Sequence, residues 1–169
     1  MKFMYLVLAS YIMMPLLSYS ADTVTINVTG NIVASPCIVN GGSNSLNVDL
    51  GNIQATALST PGASSTPVTF TLSVTNCPNG TSTVRADFDG SASHDAPNLY
   101  ENMGTAGNVY IALYDGVTGD SLGPGCTLFK SVQSDRTASI PLKVNAYSID
   151  GTTTPGSINT AIVLTMSYQ

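Results

Sequence analysis

Residues 21–33 read ADTVTINVTGNIV. Val24, Ile26, Val28, Gly30 and Ile32 hold the even positions, and Thr23, Thr25, Asn27, Thr29 and Asn31 the odd ones. A period of two residues puts the aliphatic groups on one face of an extended strand and the polar groups on the other. The β-branched content suits a pleated, half-buried surface. Such a strand needs a sheet to lie on. Nothing within the stretch says whose sheet that is.

Upstream, Lys2 gives a minimal positive start, and an apolar run from Phe3 to Leu17 is interrupted by Ser10 and Pro15. Ser18 and Ser20 place small residues at the −3 and −1 positions of a cleavage site before Ala21. This pattern predicts a secretory signal peptide over residues 1–20. A membrane anchor requires about 20 apolar residues, and this run is shorter, with no second hydrophobic segment behind it. The expected mature chain is exported, and it is not embedded in a membrane.

Residues 21–169 are enough for one domain with a core of its own. The chain has no Trp, only 9% charged residues and a net charge of −5. No basic patch is available to neutralise phosphates, so nucleic acid is not an expected partner. Abundant Thr, Ser, Val, Asn and Gly with few charges is the composition of an all-β extracellular domain, and no long helix is expected.

Downstream, Pro36 directly before Cys37 cannot donate to a ladder, which places VASPCIV at a sheet edge or strand switch. After the turn Gly41-Gly42-Ser43-Asn44, Leu46, Val48 and Leu50 alternate again, and a loop follows over residues 52–66. Val68, Phe70, Leu72 and Val74 mark a clear strand, closed by the Pro and Asn-Gly signals of residues 76–80. Val84, Ala86 and Phe88 mark the next, and residues 91–107 read as the longest irregular piece. Val109, Ile111 and Leu113 predict a strand, Cys126, Leu128 and Val132 a shorter one, and Ala138 to Ala146 a long one. The last strand is expected from Gly156 to the end. Short strands between regular turn signals describe a sandwich or barrel.

Three cysteines in an exported chain leave one over. Cys37 and Cys77 each flank a strand end beside a proline, which favours a fixed link between them, although the residues alone do not select the pair. His94 is the single histidine, and it lies in a loop without a nucleophile elbow, so no catalytic triad is expected. One histidine and scattered thiols do not make a zinc site, and Asp87-Phe88-Asp89-Gly90 lacks the later ligands of a calcium loop. No catalytic residue, metal or cofactor is expected.

The C-terminal residues 156–169, GSINTAIVLTMSYQ, mirror the opening stretch. Gly156, Ile158, Ile162, Leu164, Met166 and Tyr168 share one face, with Thr160 the polar entry among them. An alternating last strand with a penultimate aromatic, Tyr168, and a glycine fourteenth from the end, Gly156, resembles the C-terminal signature of chaperone–usher pilins. VTGNIVASPCIV, VTNCPNGTSTVRADFDG and NMGTAGNVYIAL are similar to the minor tip adaptors of type 1 pili. The resemblance covers nearly the whole mature chain. Cys126 departs from the two-cysteine pattern of that family.

The resemblance implies an incomplete immunoglobulin-like β-sandwich over residues 34–169, lacking its last strand, and a Cys37–Cys77 disulfide. Residues 21–33 would be a donor-strand extension, with Val24, Ile26, Val28 and Ile32 entering the groove of a preceding subunit and Gly30 allowing close approach. This is a form of strand addition. Burying four such side chains is worth on the order of 6–12 kcal/mol gross, before ordering costs. Gly156, Ile158, Ile162, Leu164, Met166 and Tyr168 would line this chain's own groove, and the Gln169 carboxylate would be held by the chaperone. The implied partners are a periplasmic pilus chaperone, an outer-membrane usher and neighbouring fimbrial subunits including a tip adhesin. The implied destination is the cell-surface fimbrium, reached through the periplasm. The implied role is a structural minor or adaptor subunit. A major rod subunit and a carbohydrate-binding adhesin module are the competing readings.

Overall fold

The computed structural model describes residues 23–31 and 36–169. The expected signal peptide, together with Ile32 and Val33, lies outside them. The chain divides into two units, Met1–Ile32 and Val33–Gln169. In the first, Thr23 to Asn31 form neither helix nor strand and are exposed throughout.

The second unit is all-β. Its strands are β1 (Ile38–Val39), β2 (Val68–Thr75), β3 (Thr83–Gly90), β4 (Tyr100–Glu101), β5 (Tyr110–Asp115), β6 (Thr127–Ser131), β7 (Ala138–Tyr147) and β8 (Ile162–Tyr168). Two short 3-10 turns, Asn40–Gly42 and Ala55–Leu58, are the helical elements among the described residues. One sheet has the order β1-β2-β7-β5-β4 and the other β6-β3-β8. All pairings between these strands are antiparallel. This is the expected all-β sandwich.

The two-residue period places the core. Leu72 and Val74 of β2, Val84, Ala86 and Phe88 of β3, and Ile140 and Leu142 of β7 are buried in one cluster between the sheets. A smaller cluster of Leu58, Val109 and Ala146 holds down the loop after the first 3-10 turn. There the Ser65 N–H donates to the Ala146 carbonyl at 2.9 Å. A disulfide joins Cys37 to Cys77. It fastens the segment entering β1 to the end of β2, and both sulfurs belong to buried residues. β1 is the end strand of its sheet, where a segment opened by Pro36 belongs.

Three readings of the sequence are corrected. Leu46, Val48 and Leu50 alternate but form no strand; Val48 and Leu50 pack on the core without a ladder partner. The irregular stretch 91–107 contains β4, whose Tyr100 is fully buried and donates its hydroxyl to the Leu122 carbonyl at 2.8 Å. The last strand begins at Ile162 and not at Gly156. Residues 156–159 bond instead to the loop before β5: the Met103 N–H donates to the Asn159 carbonyl at 2.8 Å, and the Ala106 N–H to the Ser157 carbonyl at 3.0 Å.

Candidate functional site: an open sheet edge along the last strand

β8 hydrogen-bonds to β3 along its whole length, from Gly90–Ile162 to Val84–Tyr168. It is the end strand of its sheet, and among the described residues no strand pairs with its second edge. Ile162, Leu164, Met166 and Tyr168 face the core with their β3 partners, yet each is only half-buried. Val163 on the opposite face is exposed, which confirms the alternation.

The half-burial continues beyond β8. Val68 and Phe70 also face the core from β2 and are half-buried, whereas Leu72 and Val74 farther along the same strand are buried. Val48 and Leu50 are in the same state. Core-facing apolar groups left partly open to water, beside a strand with an unused row of backbone N–H and C=O groups, have the two properties that an added strand would use. The strand itself, IVLTMSY, carries no charge and no proline, so it lacks the usual obstacles to edge pairing. Burial pushes the Tyr168 hydroxyl above its ordinary pKa.

Gly156 earns its place by contact. A side chain there would collide with the backbone of Thr105 and Ala106, and one on Gly104 with the backbone of Ser157. The two segments cross with nothing between them, and the Asn102 side-chain carbonyl ties them by accepting from the Gly104 N–H at 3.0 Å and the Asn159 N–H at 2.8 Å. Ile158 lies half-buried just beyond this crossing. The sequence carries a signal for Gly156 by position alone; the crossing gives the reason.

At the other end, the main-chain oxygen of Gln169 accepts the N–H groups of Ser82 and Thr83 at 2.7 and 2.9 Å. The strand is pinned to β3 at its last residue. Of the proposed donor positions, Val24, Ile26 and Val28 are between 81% and 88% exposed. Gly30 has open space around its Cβ direction. Ile32 lies outside the described residues. Cys126, the thiol outside the disulfide, is half-buried against the core. No cluster of three or more metal-ligating side chains occurs among the described residues.

Comparison with known proteins agrees with this geometry. Residues 26–169 match the model of the family described as "Fimbrial protein". The chain is 39% identical over 166 residues to protein FimG of Escherichia coli K12, covering 96% of this chain and 95% of that one. It is 36% identical to the S-fimbrial adhesin protein SfaS of Escherichia coli O6:K15:H31, covering 90% of each. A solved chaperone–usher pilus structure superimposes with a TM-score of 0.66 at 17% identity, covering 90% of this chain and 99% of that one. Its likeness is one of fold, that of an immunoglobulin-like sandwich short of a strand. The chain therefore belongs to the fimbrial protein family, as a structural subunit of a fimbria built on the incomplete pilin sandwich.

Proposed function

We propose that this subunit is a minor adaptor of a chaperone–usher fimbria and that it polymerises by donor-strand exchange. The observation that carries the proposal is the contrast at β8: a strand bonded on one side only, with its whole core-facing side half-open to water. In the periplasm a chaperone strand occupies this edge. At the outer-membrane usher, the N-terminal extension of the next subunit replaces it. Residues 21–33 of this chain serve the preceding subunit in the same way, with Val24, Ile26, Val28 and Ile32 seated in that subunit's groove and Gly30 at a point of close approach. The fibre is then linked by apolar burial and a ladder of backbone bonds, without covalent chemistry. The likeness to FimG across nearly the full chain favours the adaptor role over that of the repeated rod subunit.

The test uses the full chain in cells that supply its chaperone and usher. Ile26→Lys or Gly30→Arg should remove the subunit from fibres and leave chaperone co-purification at the wild-type level, because capture uses the other end of the chain. Tyr168→Ala should do the reverse at an earlier step, lowering periplasmic accumulation through weaker chaperone capture. Fibres labelled as strongly with Gly30→Arg as without it refute the donor role. Immunogold labelling confined to fibre tips supports the adaptor, and labelling along the shaft makes the chain a rod subunit.

A further inference from the structure

β8 is one of two end strands in its sheet, and β6 is the other. Among the described residues nothing pairs with the outer edge of β6 either. A free edge offers unpaired backbone groups to any extended chain, and an inward-turned charge, above all a lysine, is one way in which folded proteins close it. β6 carries such a lysine. Lys130 stands opposite Val84 in the ladder, and Val84 is fully buried, so the two share the core-facing side. The ammonium reaches across the sandwich and donates to Asp115 Oδ2, at the end of β5, at 2.8 Å. The Lys130 side chain is 21% exposed and that of Asp115 only 2%. The Val117 N–H donates to the other Asp115 oxygen at 2.8 Å and holds the carboxylate in the turn that follows β5.

A strand laid against β6 would strip the remaining water from this ammonium and set its own side chain beside it. Both effects oppose pairing. The corresponding core-facing positions of β8 are Leu164, Met166 and Tyr168, which gain from being covered. We propose that the Lys130–Asp115 pair closes the β6 edge to strand addition and so confines addition to β8. Lys130 is then a specificity residue, and what it excludes is an extended segment of a second copy of this chain. The inference rests on β8 being the receiving edge, and the experiment separates the two claims.

The mature chain, residues 21–169, is mixed with excess synthetic peptide ADTVTINVTGNIV and followed by native mass spectrometry and amide exchange. In the wild type, the excess peptide should occupy and protect Ile162–Tyr168, keep the chains' own residues 21–33 out of that edge, and leave the chain monomeric with Thr127–Ser131 exchanging freely. In Lys130→Met/Asp115→Leu, which replaces the ion pair with apolar groups, a change that is often neutral for stability, β6 should become a second acceptor. A second bound peptide or a dimer should appear, with Thr127–Ser131 protected and association roughly tenfold tighter. Lys130→Gln keeps a donor for Asp115 and removes the charge; it should show the same change to a smaller extent and serves if the double variant does not fold. A folded, peptide-bound variant that stays monomeric with β6 exchange unchanged overturns the guard. Absence of protection at Ile162–Tyr168 in the wild type overturns the receiving edge itself, and the guard with it.

Discussion

β3 and β8 are neighbours in one ladder and present the same kind of face to the core. Val84 pairs with Tyr168, Ala86 with Met166 and Phe88 with Leu164. On β3 these residues are 0–2% exposed; on β8 every partner is half-buried. The hydrophobic pattern of β8 is as regular as that of β3, so composition does not explain the difference. β3 has a strand on each side and β8 has one. What separates a sealed strand from a half-open one here is the number of neighbours, a property of the sheet that neither strand carries in its own residues.

That comparison fails first if Phe88 can be lost cheaply. Phe88→Ala should destabilise the chain by about 3–5 kcal/mol, read as a shift in urea midpoint with unchanged slope. The sealed end of the sandwich should be nearly as sensitive. The Cys37–Cys77 bond closes a loop with a sequence separation of 40, and Cys37→Ser/Cys77→Ser should cost about 4 kcal/mol on the chain-entropy estimate. Leu164→Ala sharpens the contrast. Alone it should cost only about 1–2 kcal/mol, because the side chain is already partly wet. With the edge filled by a donor peptide the cost should approach that of a core leucine. Equal costs with and without peptide would mean that nothing is added over Leu164.

Acid should loosen one edge of the sheet before the other. Burial raises the pKa of Asp115, but the hydrogen bonds from Lys130 and the Val117 N–H outweigh it and hold the carboxylate below its ordinary 3.8. A depressed carboxylate contributes stability that is complete above its unfolded pKa and is lost as the pH falls through its folded one. The protection factors of the Thr127–Ser131 amides, exchange corrected for its intrinsic pH dependence, should therefore be flat from neutrality down to about pH 4 and fall below it. Ile162–Tyr168 contains no carboxylate and should show a smaller step, carried by Asp87 opposite Thr165 on β3. Asp115→Asn should shrink the step on β6 and leave the part due to Asp87, whose carboxylate accepts the Thr127 hydroxyl and is also held below its ordinary pKa, first by that bond and then by Arg85. The smallest effect is expected at Cys126. Cys126→Ser should change stability by about 1 kcal/mol or less, and the wild-type thiol should be alkylated without prior reduction once the chain is denatured. A reduction-sensitive dimer would show instead that the thiol bonds between molecules.

Much of the fold was legible because a period of two names the buried face of a strand without knowledge of its partner. Val68 to Val74 and Ala138 to Ala146 were read correctly on that basis. The same rule misread Leu46, Val48 and Leu50, since alternation reports which face meets the core and not whether a ladder forms. β4 was missed because two residues hold no period; Tyr100 is held by its hydroxyl and its burial. The start of β8 was placed early because residues 156–159 bond to a loop some fifty residues upstream. The Lys130–Asp115 pair was invisible for a related reason: it joins two sheets, and neither residue stands out in its own stretch. The free edge of β8 could be inferred only through the family resemblance, since a missing neighbour leaves no mark on a strand's own sequence.

The contact at Gln169 has one more consequence. Because the Gln169 main-chain oxygen receives the Ser82 and Thr83 N–H groups, the number of residues between Ile162 and this anchor is a structural parameter of this protein. A single codon deleted within Ile162–Tyr168 would oblige the strand either to forfeit its anchor or to turn alternate side chains to the wrong face. Residue spacing and this anchor together thus set which side chains the edge displays.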